Sequence, residues 1–137
     1  MSQVLVYSDD PAFRDALRLA VGRRPAPDLE RVEFVDAVSG AEVLAAVDGG
    51  GIDVVVVDGE ARPTGGFGLA KQLKDEIEDC PPVLLLVARK DDSWLASWSL
   101  ADAVLPLPID APATQAAVVG LLQHRRDALP VRRAAAL

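Results

Sequence analysis

Short apolar runs of strand length alternate with stretches whose apolar residues recur at helical spacing, and this order holds along the chain. Val4 to Tyr7 is the first run. Pro11 then opens a helix with Phe13, Leu17, Ala20 and Val21 on one face, a position where Pro is tolerated because the first-turn N–H has no helical partner. Gly22, Pro25 and Pro27 end it. Val32 to Val35 predicts a second strand, and Ser39 is placed to cap a helix carrying Val43, Leu44 and Val47, which Gly49, Gly50 and Gly51 stop. Ile52 to Val57, interrupted only by Asp53, reads as a strand covered on both faces, with Asp58 at its end.

Gly65 to Gly68 lead into a helix from about Leu69 to Ile77, and Pro81 and Pro82 precede a fourth strand, Val83 to Val87. Asp91, Asp92 and Ser93 are placed to cap a short helix with Trp94 and Trp98. A brief strand at Val104 and Leu105 and a last helix from about Ala113 to Gln123 complete five βα units. Such alternation predicts an α/β fold, a doubly wound parallel sheet with helices on both faces, because each crossover between parallel strands needs a covering element. Ligands of such sheets lie at the carboxyl ends of the strands, so the chemistry is sought there.

Composition narrows this picture. The 137 residues suit one core; half are hydrophobic and only 4% aromatic, so that core is aliphatic. Of the net charge of −7, the segment from Arg125 to Leu137 carries +3, which leaves −10 on what precedes it. An acidic body excludes nucleic acid as the main partner. The expected division is a domain over residues 1–124 and a basic, disordered tail over 125–137, with no residues left for an output domain. Cys80 stands alone, and the N-terminus shows neither the charged start nor the apolar stretch of a signal peptide. With no apolar run of spanning length, the expectation is a cytoplasmic protein without a membrane partner.

Ser8, Asp9 and Asp10 follow the first strand and Asp58 ends the third, so this topology brings their carboxylates together from adjacent strand ends. Two such charges about 4 Å apart repel by about 4 kcal/mol at an effective dielectric of 20. A hard divalent cation such as Mg²⁺, which takes one or two carboxylates plus water, is the natural counterweight.

Here the chain resembles the response-regulator receiver family over nearly its whole length. Val6 to Arg14, Val-Tyr-Ser-Asp-Asp-Pro-Ala-Phe-Arg, is similar to the family's opening Val-Val-Asp-Asp-Glu-Pro with an Arg two residues later. Ser8 and Asp9 fall on the acid pair and Asp10 on the Glu. Val54 to Asp58 resembles the strand that delivers the phosphoacceptor, Gly66 keeps its distance from it, and Leu100 to Pro108 resembles Gly-Ala-Asp-Asp-Tyr-Leu-x-Lys-Pro. The resemblance implies a flavodoxin-like (βα)5 fold, CheY-like, with strand order 2-1-3-4-5 and a cis peptide before Pro108. It further implies Asp58 as phosphoacceptor, and Mg²⁺, weakly or conditionally bound, on Asp9, Asp58 and the carbonyl of Glu60, with Asp10 in the acidic pocket.

The departures fall in the same pocket. The family's switch hydroxyl falls on Val87, its Lys on Leu107, its aromatic switch position on Val104, and one acid has become Ser8. Losing one charge-stabilising donor elsewhere costs ~3 kcal/mol of barrier, so phosphorylation should be slow. Arg89 or Lys90 is a candidate replacement cation, against the plainer reading of solvated surface charge.

Blander readings stand beside the others. Asp58 as a hydrated strand-ending acid and Asp10 as support for a helix N-terminus are the structural alternatives. Gly65 to Gly68 with Lys71 lacks the spacing of a phosphate-cradling loop and reads as a turn. Trp94 and Trp98, four apart, mark an interaction surface or a packed core face, and His124 has no companion ligand. The resulting expectation is not an enzyme but an atypical single-domain response regulator in a two-component phosphorelay. Its partner would be a histidine kinase or another signalling protein, with a homodimer possible in this family. The alternative is a phosphate-independent pseudo-receiver acting as an interaction module. A metal-dependent phosphatase is disfavoured by the lack of a general base beside the acids.

Overall fold

A computed structural model of the chain describes residues 1–62, 65–88 and 97–136. Five strands, β1 (Ser2–Tyr7), β2 (Val32–Ala37), β3 (Val54–Asp58), β4 (Val83–Val87) and β5 (Ala103–Pro106), form one parallel sheet in the order β2-β1-β3-β4-β5. The helices are α1 (Pro11–Val21), α2 (Gly40–Asp48), α3 (Gly66–Glu76) and α4 (Ala111–Ala136). The architecture is the flavodoxin-like, doubly wound sheet that the alternation and the resemblance predict. The short helix expected after Asp91, together with Trp94, Arg89 and Lys90, lies outside the described residues.

Strand alternation sorts the apolar residues onto two faces. Val4, Val6, Val54, Val56, Leu84 and Leu86 pack against Phe13, Leu17 and Val21 of α1 and Val118 and Leu122 of α4. The alternate residues Leu5, Tyr7, Val55, Val57, Val83, Leu85 and Val87 pack against Val43 and Val47 of α2 and Leu69, Ala70 and Leu73 of α3. Both faces of the central strands are covered, which is why β3 and β4 read as unbroken apolar runs instead of alternating ones.

Local signals set the helix starts. Asp10 Oδ1 accepts the N–H of Ala12 and caps α1 at 2.9 Å, with Pro11 in the first turn. Ser39 Oγ accepts the Glu42 N–H at 3.2 Å while Glu42 Oε2 reaches back to the Val38 N–H at 2.8 Å, so each satisfies an otherwise orphaned donor. Gly22 ends α1 at a φ of 75°, a left-handed backbone that favours glycine. The peptide bond between Leu107 and Pro108 is cis.

One helix end is corrected: the last helix, predicted to end near Gln123, continues to Ala136 as α4. Ala and Arg, both good helix formers, dominate this stretch, and Pro130 is the chief local signal against it. The first basic residues of the stretch are also held to the body: Arg125 pairs with Asp79, and Arg126 Nη1 donates to the Asp28 carbonyl. Gln123 Nε2 donates to Asp28 Oδ2, a bond that is the largest of the influences holding the Asp28 carboxyl below its ordinary range. Among the described residues, no helix is long and apolar enough to cross a membrane.

Candidate functional site

Sheet order reverses at β1, whose neighbours β2 and β3 lead away in opposite directions, so a crevice opens beyond the carboxyl ends of β1 and β3. Register decides what meets there. Val4 lies opposite Val54, Val6 opposite Val56 and Tyr7 opposite Val57. One step further sets Ser8 beside Asp58, on the face that carries α1, at the separation of a cross-strand pair.

The two side chains are joined. Ser8 is fully buried and Asp58 is only 6% exposed, and Ser8 Oγ donates to Asp58 Oδ2 at 2.7 Å. The other carboxylate oxygen, Oδ1, accepts the N–H of Glu60 at 2.9 Å. Ser8 Oγ in turn accepts the N–H of Asp10 at 3.0 Å, and the Ser8 carbonyl accepts Arg14 Nη1 at 2.7 Å. Arg14 also faces Asp36 at 3.7 Å and thereby ties β1, α1 and β2 together behind the pocket. Asp9 is exposed, and its Oδ1 accepts the N–H of Arg62 at 3.1 Å. Asp9 and Asp58 are therefore both anchored on backbone donors of the one loop that follows β3.

Two glycines make the approach of that loop possible. A Cβ on Gly66 would lie 2.4 Å from the Asp58 carbonyl oxygen and 2.7 Å from the Gly59 Cα, so α3 can start this close to β3 only without a side chain there. A Cβ on Gly59 would lie 2.7 Å from the Leu86 carbonyl oxygen, the acceptor of the Gly59 N–H at 2.8 Å. Gly66 was legible from its distance to Asp58. Gly59 was not singled out by the sequence reading, and Arg14 was noted only as part of the opening motif, without a structural role. A glycine directly after a strand-ending acid and an arginine one helical turn past the capping residue are the signals that point to them.

The remaining expected site residues are apolar or surface residues. Val87 is buried in the α2–α3 face of the core. Leu107 packs on the α1–α4 cluster and donates its N–H to the Val87 carbonyl at 2.8 Å. Val104 is 40% exposed on the edge strand. Trp98 is 48% exposed, with the ammonium of Lys71 5.9 Å from its ring centroid, within cation–π range. Asp10 serves as the cap of α1, which is the structural alternative weighed for it.

The groups that the resemblance names for a cation, the carboxylates of Asp9 and Asp58 and the Glu60 carbonyl, are all oxygen donors, a chemistry that suits a hard divalent cation. Among the described residues, no group of three or more His, Cys, Asp or Glu side chains is arranged to hold a metal ion.

Comparison with known proteins bears on the family and the fold. No family model matches the chain. An uncharacterized response regulatory protein of Mycobacterium tuberculosis, from strains CDC 1551 and H37Rv, is 48% identical over 121 residues, covering 88% of this chain and 91% of the relative. The receiver domain of Francisella response regulator 1452 superimposes with a TM-score of 0.76 at 21% identity, over 90% of this chain and 98% of that one. The response regulator TrrA of Thermotoga maritima, in complex with Mg²⁺–BeF, gives a TM-score of 0.72 at 26% identity, over 89% of this chain and all of that one. A buried strand-end aspartate at the sheet's switch point, close identity to a response regulatory protein and the shared sheet order lead to one conclusion: the chain belongs to the response-regulator receiver family of two-component signalling.

Proposed function

We propose that this chain is an atypical receiver that accepts a phosphoryl group on Asp58 and signals through protein contacts. The single observation that carries this reading is the placement of Asp58, a nearly buried carboxylate at the carboxyl end of β3, fixed by Ser8 and by the Glu60 N–H beside the crevice. A carboxylate held this way presents its oxygens in a set direction, and positioning is most of what phosphoryl transfer asks of a protein.

Asp9, Asp58 and the Glu60 carbonyl would hold Mg²⁺, weakly or conditionally. When bound, the cation offsets the negative charge shared by carboxylate and phosphoryl oxygens. In the transfer, an Asp58 oxygen forms the new bond to phosphorus, the donor's bond to phosphorus breaks, and the donor leaves with that electron pair. The Glu60 N–H continues to orient the carboxylate, and Asp9 keeps the loop after β3 in place through the Arg62 N–H. The positions that in the family bind the phosphoryl group or relay its presence are Val87, Leu107 and Val104 here. The chain thus lacks both a hydroxyl and an ammonium group at these positions, so transfer is slow and coupling to shape is weak.

The phosphoryl donor on this reading is a histidine kinase or a small phosphoryl compound. The contact surface includes Trp98, whose exposed ring beside Lys71 offers an aromatic anchor, and a homodimer is one form such a contact takes. A second reading, a phosphate-independent pseudo-receiver, is favoured by one observation: Val87 and Leu107 are packed into the two core clusters, where a responsive switch would need mobility.

Intact-mass analysis after incubation with acetyl phosphate and Mg²⁺ separates the two. A gain of one phosphoryl group that disappears in Asp58→Asn supports phosphoacceptance. An unchanged mass, with partner binding retained in Asp58→Asn, supports the pseudo-receiver.

A further inference from the structure

The hydroxyl of Ser8 has one proton and two lone pairs, and its surroundings fix where each goes. The Asp10 N–H can only donate, so at 3.0 Å it occupies a lone pair of Oγ. The Asp58 carboxylate can only accept when ionised, so the Ser8 proton points at Oδ2 across 2.7 Å. Register between β1 and β3 holds the two Cβ atoms as cross-strand neighbours, and Arg14 pins the Ser8 carbonyl from behind. The donor is therefore directed into the crevice without freedom to turn away, and it is buried, where a hydrogen bond to a charged group is strong.

We propose that Ser8 competes with divalent cations for Asp58, so that its hydroxyl acts as a built-in, neutral stand-in for the metal and sets a high threshold for metal binding. The inference rests on the reading of Asp58 as a metal-assisted phosphoacceptor and deepens it. A cation approaching Oδ2 meets the positive end of the Ser8 hydroxyl, and sharing that oxygen weakens a charge-assisted bond. The other oxygen, Oδ1, already serves the Glu60 N–H. Each oxygen thus has an internal donor in the absence of any ion, which fills about two of the carboxylate's roughly four acceptor sites.

The test is Mn²⁺ binding to the full chain, with no phosphoryl donor present, followed by electron paramagnetic resonance of free Mn²⁺. Wild type is compared with Ser8→Ala, Ser8→Cys and Asp58→Asn, each checked for native fold by circular dichroism. Removing the competing donor should tighten binding on the order of tenfold in Ser8→Ala, with Ser8→Cys, a weaker donor of similar size, in between. Asp58→Asn should abolish it. Should Ser8→Ala fail to fold, the Cys variant carries the same prediction with a smaller change.

Binding that is unchanged or weaker in both Ser8 variants, yet lost in Asp58→Asn, overturns the competition while leaving the metal site at Asp58 intact. Equal binding, or none, in wild type, the Ser8 variants and Asp58→Asn removes the cation from Asp58 altogether and takes this inference with it.

Discussion

At the carboxyl edge of β1 and β3 the side chains are polar and bonded to one another, whereas at the edge of β4 and β5 the corresponding positions carry Val87, Val104 and Leu107. The first edge keeps an acid that can do chemistry, held by donors that would be costly to leave unpaired in a buried site. The second has been absorbed into the packing: Val87 belongs to one face of the core and Leu107 to the other. On the proposed reading, acceptance of a group and response to it would be physically separable in this fold. One needs a few fixed hydrogen bonds near a single strand end, and the other needs polar side chains free to move where this chain has aliphatic ones.

The largest expected effect comes from rebuilding the apolar edge. The double substitution Val87→Thr with Leu107→Lys should speed acetyl-phosphate labelling of Asp58 by at least about 100-fold, since even one restored donor to a developing negative charge contributes ~3 kcal/mol elsewhere. Time-resolved intact-mass measurement reads the rate, and no acceleration would mean that β4 and β5 do not face the transferred group. Next is the backbone approach at the polar edge. Gly66→Ala places a methyl 2.4 Å from the Asp58 carbonyl oxygen, so it should cost about 1–3 kcal/mol in urea denaturation and shift the amide resonances of Gly59 and Glu60.

The comparison itself can be broken by truncating one residue on each edge. Asp58→Ala strands the Ser8 hydroxyl and the Glu60 N–H and should destabilise by about 1–2 kcal/mol. Val104→Ala, at a half-exposed edge position, should change stability by less than about 0.5 kcal/mol. Equal costs in the same denaturation experiment would show that the two edges are not built on different principles. The smallest effect is expected at the surface. Lys71→Ala removes the ammonium over Trp98 and should cost under about 1 kcal/mol, with a shift in tryptophan emission as its readout.

Much of the fold was legible because its signals are local. The run Val83 to Val87 is β4 as expected, and Ser39 caps α2 through the Glu42 N–H, a contact that spans three residues. Element ends were less legible: α3 begins at Gly66, three residues before the apolar pattern starts, because glycine carries no hydropathy signal although its lack of a Cβ is what the site requires. The end of α4 escaped for the opposite reason, since helix-forming residues there carry no periodic apolar face to follow. In the site, Asp58 and the residues near Asp9 were visible as acids at strand ends. The role of Ser8 was visible only as a missing acid, and its bond to Asp58 joins residues fifty positions apart, which no local pattern encodes.

By itself the sequence determined the alternating elements, the two-faced aliphatic core and the carboxylates placed at strand ends, because each follows from spacing within a few residues. Tertiary structure alone decided which partners those carboxylates take: Ser8 and the Glu60 N–H for Asp58, the Arg62 N–H for Asp9 and a capping role for Asp10. The reason is physical. Periodicity says which side of a strand a residue faces, but the oxygen a hydroxyl reaches depends on the register of β1 against β3 and on how closely a helix that starts with glycine can approach the strand end.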